Sequence, residues 1–214
     1  MSKHFNMGNV WGRPIGEMKR EKSEGGKEYL IIQIECPNEL YGNVRAYGRL
    51  WGTAKIDAFL DFFKKNPGSS YRFRGMFSQY DKEEGTRYSN FTFYAWEAIS
   101  GKEFRASFVL TGEVTAVKTL DIENEGEIYL HLFREGQGDY RDIEEDFEIY
   151  TLNAQDIAGL HEGDTIEVSG LLRAKEPEDY FGKPNGSIKP YVMGEIKIKK
   201  MQDIPAEQTT NKPF

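Results

Sequence analysis

The sequence predicts an all-β fold, and three observations carry that expectation. Short runs alternate apolar and polar residues with a period of two. The chain is rich in Tyr, Phe, Val, Ile and Gly. Its first half offers a single convincing amphipathic helix. At 214 residues the chain accommodates one large domain or two of about 100 residues, so pattern has to choose.

In order, residues 7–18 read as a glycine-rich opening strand. In Glu28–Cys36, Leu30, Ile32 and Ile34 alternate with Tyr29, Ile31 and Gln33, which predicts a strand with one more polar face. In Val44–Trp51, Val44, Ala46, Gly48 and Leu50 point one way and Arg45, Tyr47, Arg49 and Trp51 the other. Two arginines and two aromatics do not make a hydrophobic core. Thr53 is the expected N-cap of a helix of about three turns, with Ile56, Phe59, Leu60 and Phe63 on one face. Lys64 and Lys65 fall in its last turn, and Pro67 and Gly68 stop it. Strands over 71–78 and 87–96 follow, joined by a charged turn at 81–85.

This order, three strands, a helix, then two strands, is the layout of an OB-fold, a five-stranded Greek-key barrel. The second half repeats it. Strands are expected over 104–120, 127–134 and 146–152, a short helix over 153–160, and the last two strands over 165–173 and 189–200. Residues 174–187 read as a long loop between those last two. The expected architecture is therefore two tandem OB-fold domains with one helix each, 1–100 and 101–201, the second acidic, with a flexible tail over 202–214.

Charge follows this division. The net charge of −7 is the sum of about +3 over residues 1–100 and about −10 over residues 101–214. A polyanionic partner is expected on the first half. Cys36 is the lone cysteine, which excludes an intramolecular disulfide and a thiolate metal cluster. The expected environment is cytoplasmic, since no apolar run reaches the roughly 18 residues of a membrane span and residues 1–10 lack a signal-peptide layout.

Over about 90 residues the first half resembles the bacterial single-stranded DNA-binding protein family. The resemblance rests on four pieces in order: Gly8-Asn9-Val10-Trp11-Gly12-Arg13-Pro14, Ala46-Tyr47-Gly48-Arg49-Leu50 before the helix, Phe73-Arg74-Gly75-Met76-Phe77, and Tyr80-Asp81-Lys82 with Gly85-Thr86-Arg87-Tyr88. Two departures stand out. The segment 36–43 is shorter than the family's loop there, with Tyr41 as its one aromatic, and the second half matches the family by element order alone.

The resemblance implies non-enzymatic binding of single-stranded DNA during replication, recombination or repair. The residues suit that chemistry, because exposed bases stack on aromatic side chains while cations track the backbone. The expected nucleic-acid-binding residues are Arg45, Tyr47, Arg49, Trp51, Arg72, Arg74, Tyr80, Arg87, Tyr88 and Trp11. Phe59, Phe63, Phe91 and Phe93 are expected in the core, and Trp11 and Trp96 divide evenly between core and platform. No cofactor and no metal site is expected. The partners implied are single-stranded DNA, with RNA a close relative, a second copy of the chain in a homodimer, and replication or repair proteins reached through Pro213 and Phe214; no membrane is expected. A phage, plasmid or other mobile-element origin fits the reading as well as a chromosomal one.

Two other classes compete. An OB-based nuclease would need a cation site, and the acidic run 139–148 supplies Asp142, Glu144, Glu145 and Asp146; the expectation is a solvated loop. No HExxH, P-loop or zinc spacing accompanies it. A protein-interaction or scaffold module would use the acidic second half.

Overall fold

The computed structural model describes residues 5–37, 43–82, 86–101, 104–119, 125–134, 142–151, 153–174, 188–192 and 199–200. Their elements are β1 (Asn6–Lys22), β2 (Glu28–Cys36), β3 (Val44–Trp51), α1 (Thr53–Lys65), β4 (Ser70–Lys82), β5 (Thr86–Ile99), β6 (Arg105–Thr119), β7 (Gly126–Arg134), β8 (Ile143–Thr151), a 3-10 turn (Ala154–Ile157), β9 (Thr165–Ala174), β10 (Ile188–Val192) and β11 (Lys199–Lys200).

The pairing closes two rings of strands. In the first, β1 pairs β2, β2 pairs β3, β3 runs parallel to β5, β5 pairs β4, and β4 returns to β1. The second repeats this: β6 with β7, β7 with β8, β8 parallel to β10, β10 with β9, and β9 back to β6. Both have the strand order of an OB-fold. An antiparallel β1–β6 pairing, Asn6 opposite Leu110 through Trp11 opposite Arg105, joins them into one sheet.

The core is continuous across that join. Phe77, fully buried near the end of β4, stacks on Phe108 at 5.3 Å and on Phe147 at 5.8 Å, and it also meets Phe91. Amide side chains extend the contact. Asn6 donates to the Phe77 carbonyl and accepts from its N–H, and Gln79 does the same for Glu148. Glu145 accepts from both Asn6 and Ser78. Aromatic pairs of this kind each contribute about 0.5 to 1.5 kcal/mol beyond the area they bury.

Helix α1 closes one end of the first ring. Phe59 is buried against Tyr71, Phe73 and Trp96, while Phe62 and Phe63 pack beside it. Thr53 is not the N-cap. It is the first helical residue and donates its hydroxyl to Glu28, and the cap position belongs to Gly52 at φ 101, a conformation that glycine adopts without steric cost.

The structure corrects four further expectations. The second helix is a four-residue 3-10 turn, because Ala158 at its end is extended and Gly159 lies at φ 117, so the turn cannot propagate. Residues 143–148 of the acidic run are strand, since their pairing with β7 outweighs the low strand preference of Asp and Glu. Strand β1 runs on to Lys22 through a register shift between Ile15 and Lys19, where Gly16 has φ 67. The last expected strand is described as β10 and β11, with 193–198 between them outside the described residues. So are residues 83–85 of the charged turn, most of the loop 174–187, Tyr41, and the tail with Pro213 and Phe214.

Among the described residues no helix is long and apolar enough to cross a membrane, and no group of three His, Cys, Asp or Glu is placed to hold a metal ion. Cys36 is buried, and its thiol is pushed up to about 12 by burial and, secondarily, by Glu35.

Candidate nucleic-acid interface

Alternation places the side chains. Val44, Ala46, Gly48 and Leu50 of β3 face the core, so Arg45, Tyr47 and Arg49 stand on the outer surface. Core packing on the other side enforces this, because a methyl group at Gly48 would collide with the Phe93 ring. Cross-strand partners on β2 are Glu35 for Arg45, Gln33 for Tyr47, Ile31 for Arg49 and Tyr29 for Trp51.

Tyr47 is 40% exposed and its hydroxyl accepts a hydrogen bond from Gln33 Nε2 at 2.7 Å, so its ring is held upright with one face available. Arg49 lies over the Tyr29 ring at 5.2 Å, and Trp51 packs on the same ring at 4.8 Å. Trp51 is thus half-buried, and its Nε1 is enclosed without a protein acceptor. The Tyr29 hydroxyl donates to Glu21, and that carboxylate raises the phenol above its ordinary value.

One residue that sequence reasoning missed belongs to this face. Tyr94, on β5, is 48% exposed, and β5 runs parallel to β3 with Thr92 beside Arg49. The signal was available in the alternation itself: Phe91 and Phe93 point inward, so Thr92 and Tyr94 come next on the outside.

The ten expected residues do not form one patch. Arg45, Tyr47, Arg49 and Trp51 share the β2–β3–β5 face. Trp11, Arg72 and Arg74 lie elsewhere, where β4, β1 and β6 run side by side: Trp11 faces Arg72 on one strand and Arg105 on the other, and Asn9 faces Arg74. Tyr80 forms a third position, 49% exposed near the end of β4 and opposite Tyr88 of β5. The Arg87 and Tyr88 side chains lie outside the described residues.

Two of these residues are already engaged. Trp11 has the Arg105 guanidinium 3.6 Å and that of Arg72 5.3 Å from its ring centre, so it is no open platform for a base. Arg72 is held by Glu97 at 3.2 Å and Asn9 at 3.3 Å. Trp96 belongs to the α1 packing, with Nε1 donating to the Lys55 carbonyl.

The outer face of β8 in the second ring carries the opposite charge. On β8 the outward positions are Glu144, Asp146 and Glu148, paired with Phe133, His131 and Tyr129 of β7. His131 Nδ1 lies 2.8 Å from the Asp146 carboxylate, and Glu127 accepts from the Tyr129 hydroxyl.

No protein-family model matches the chain, and no curated protein matches its sequence. Solved structures do. The wild-type single-stranded DNA-binding protein from Thermus aquaticus superposes with a TM-score of 0.63 at 15% identity, over 99% of this chain and 100% of that one. A deletion mutant of the same protein, which also carries an arginine-to-alanine substitution, gives 0.62 at 16% identity, over 97% and 100%. At such identity the likeness is one of fold. It extends over the whole chain, including the second half that had no sequence match.

Proposed function

We propose that this chain binds single-stranded DNA without chemistry, in a cytoplasmic role in replication, recombination or repair. Residues 1–100 and 101–201 act as two OB domains, and residues 202–214 form a tail for partner contact. One observation carries the proposal: the outer face of β3 presents Arg45, Tyr47 and Arg49, with Tyr94 alongside on β5. Bases stack on the tyrosines, and the guanidiniums meet the phosphates between them. Tyr80, with Arg87 and Tyr88 on the neighbouring strand, supplies a lip at the hairpin. The fold shared with the Thermus protein supports the reading.

Stacking of this kind contributes about 1 to 3 kcal/mol per base and tolerates any sequence. The test is titration of the full chain with oligo-dT, oligo-rU and duplex DNA at two salt concentrations, followed by intrinsic fluorescence. Trp51, beside the proposed face, is the reporter. Quenching by oligo-dT that weakens with salt and disappears in Tyr47→Ala/Arg49→Ala is expected; no response to any single strand at low salt would refute the proposal.

A second reading has its own observation. The acidic strip Glu144, Asp146 and Glu148 beside the exposed Phe133 suits a basic protein partner better than a nucleic acid, and makes the second ring an interaction module.

A further inference from the structure

The face where β4, β1 and β6 run side by side gathers four arginines from three strands. Arg72 and Arg74 come from β4, Arg13 from β1 and Arg105 from β6. Adjacent strands lie about 4.8 Å apart, so Arg72 and Arg105 flank Trp11 at roughly twice that separation, across the join between the two rings. Glu97 neutralises Arg72, but among the described residues no carboxylate pairs with Arg13, Arg74 or Arg105, all of which are exposed.

Arg13 and Arg105 are held by contacts to rings. The Arg105 guanidinium lies 3.6 Å from the centre of the Trp11 ring, and Arg13 lies over Phe104 at 5.3 Å with its Nε directed at the Ser70 hydroxyl. A guanidinium held against a ring loses less freedom on meeting a phosphate, and its planar fork of donors suits bidentate contact with one. Two donors in the same patch, Trp11 Nε1 and Arg72 Nε, are buried with no acceptor among the described residues. Buried donors are ordinarily paired, so the patch has hydrogen-bonding capacity that the protein itself does not use.

We propose that this seam is a second binding site, specific for the phosphates of single-stranded nucleic acid and blind to its bases. It rests on the reading above and extends it. The strand stacks on the β2–β3–β5 face of the first ring and, when long enough, continues onto Arg13, Arg74 and Arg105 at the join. Trp11 serves there as a support for guanidiniums. Self-association through the same patch would set arginine against arginine across a two-fold axis, which like-charge repulsion disfavours.

The experiment compares two lengths of oligo-dT against the full chain: one of about 8 nucleotides, within the span of a single OB fold, and one about four times longer. Each phosphate contact contributes about 0.7 to the slope of log affinity against log salt for a single strand. Arg105→Ala and, separately, the exposed Arg74→Ala should each lower that slope by about this amount for the long oligonucleotide and leave the short one unchanged. Arg105→Lys should restore it. Thermal melts of each variant show whether folding is intact, and either variant alone suffices for the test.

Equal losses at both lengths, or an unchanged slope for the long one, overturn the proposal while leaving the β3 face in place. Sedimentation showing a wild-type dimer that Arg105→Ala splits also overturns it, making the seam a contact between copies. If the wild-type chain binds neither oligonucleotide, the functional reading itself has failed.

Discussion

The two rings have the same strand order, and they differ in what they carry on one strand. The outward positions of β3 read Arg45, Tyr47, Arg49, and those of β8 read Glu144, Asp146, Glu148. The inward side of each strand is apolar, with Val44, Ala46 and Leu50 on β3 and Phe147 and Ile149 on β8. The same strand order thus carries a basic outer strand once and an acidic one once, so fold alone does not set what either surface attracts. On the proposed reading, a strand bound to the first ring would meet a field that discourages it from the β8 face, and the arginine-rich seam would offer the other route.

The largest effect expected from disturbing this arrangement is structural. Phe77→Ala removes the ring stacked between Phe108 and Phe147, and should destabilise the chain by about 3 to 5 kcal/mol. Because the core runs through both rings, denaturant unfolding should remain a single transition at lower midpoint. Two separate transitions would show that the rings are energetically independent.

Next in size are the stacking residues. Tyr47→Ala and Tyr94→Ala should each weaken oligo-dT binding by about 1 to 3 kcal/mol, whereas Tyr129→Ala on the matching acidic face should change it less than about twofold. Equal losses at Tyr47 and Tyr129, measured by fluorescence anisotropy, would erase the distinction between the rings.

A smaller effect follows from charge alone. Glu144→Lys/Asp146→Lys gives the second ring the sign of the first, and should tighten binding by about threefold at low salt and not at high salt. Tightening that persists in high salt would point to new contacts instead of the field.

The smallest is a pH dependence. Glu28 is held below the usual carboxylate range, first by its hydrogen bond from Arg20 and next by that from Thr53. A depressed carboxyl contributes stability that is present above its unfolded value, about 4.3, and is lost as pH falls through the folded one. Melting temperatures of Glu28→Gln should fall less between pH 6 and pH 3 than those of the wild type; parallel curves would show that this pair does not contribute.

How much of this was legible in the sequence depended on what fixed each feature. Strands β2 and β3 were found to the residue, because strict alternation over a buried face admits one register. The start of β8 was lost, since its acids mimic a solvated loop and only pairing with β7 makes them strand. Thr53 has the composition of a cap, but the carboxylate of Glu28, distant in sequence, claims its hydroxyl. Tyr94 was readable from period two and was passed over. The seam was not readable. Trp11, Arg72 and Arg105 are far apart along the chain, and two pairings of β1 bring them together, with β4 inside the first ring and with β6 between the rings.

The most direct test of the account is a photocross-link. Oligo-dT carrying 5-iodouracil is irradiated with the full chain, and the modified peptides are mapped by mass spectrometry. Adducts on Tyr47 and Tyr94, with Tyr129 and Phe133 unmodified, are the predicted result. Adducts concentrated on the β7–β8 aromatics would contradict it, because bases would then stack on the face whose charge should turn them away.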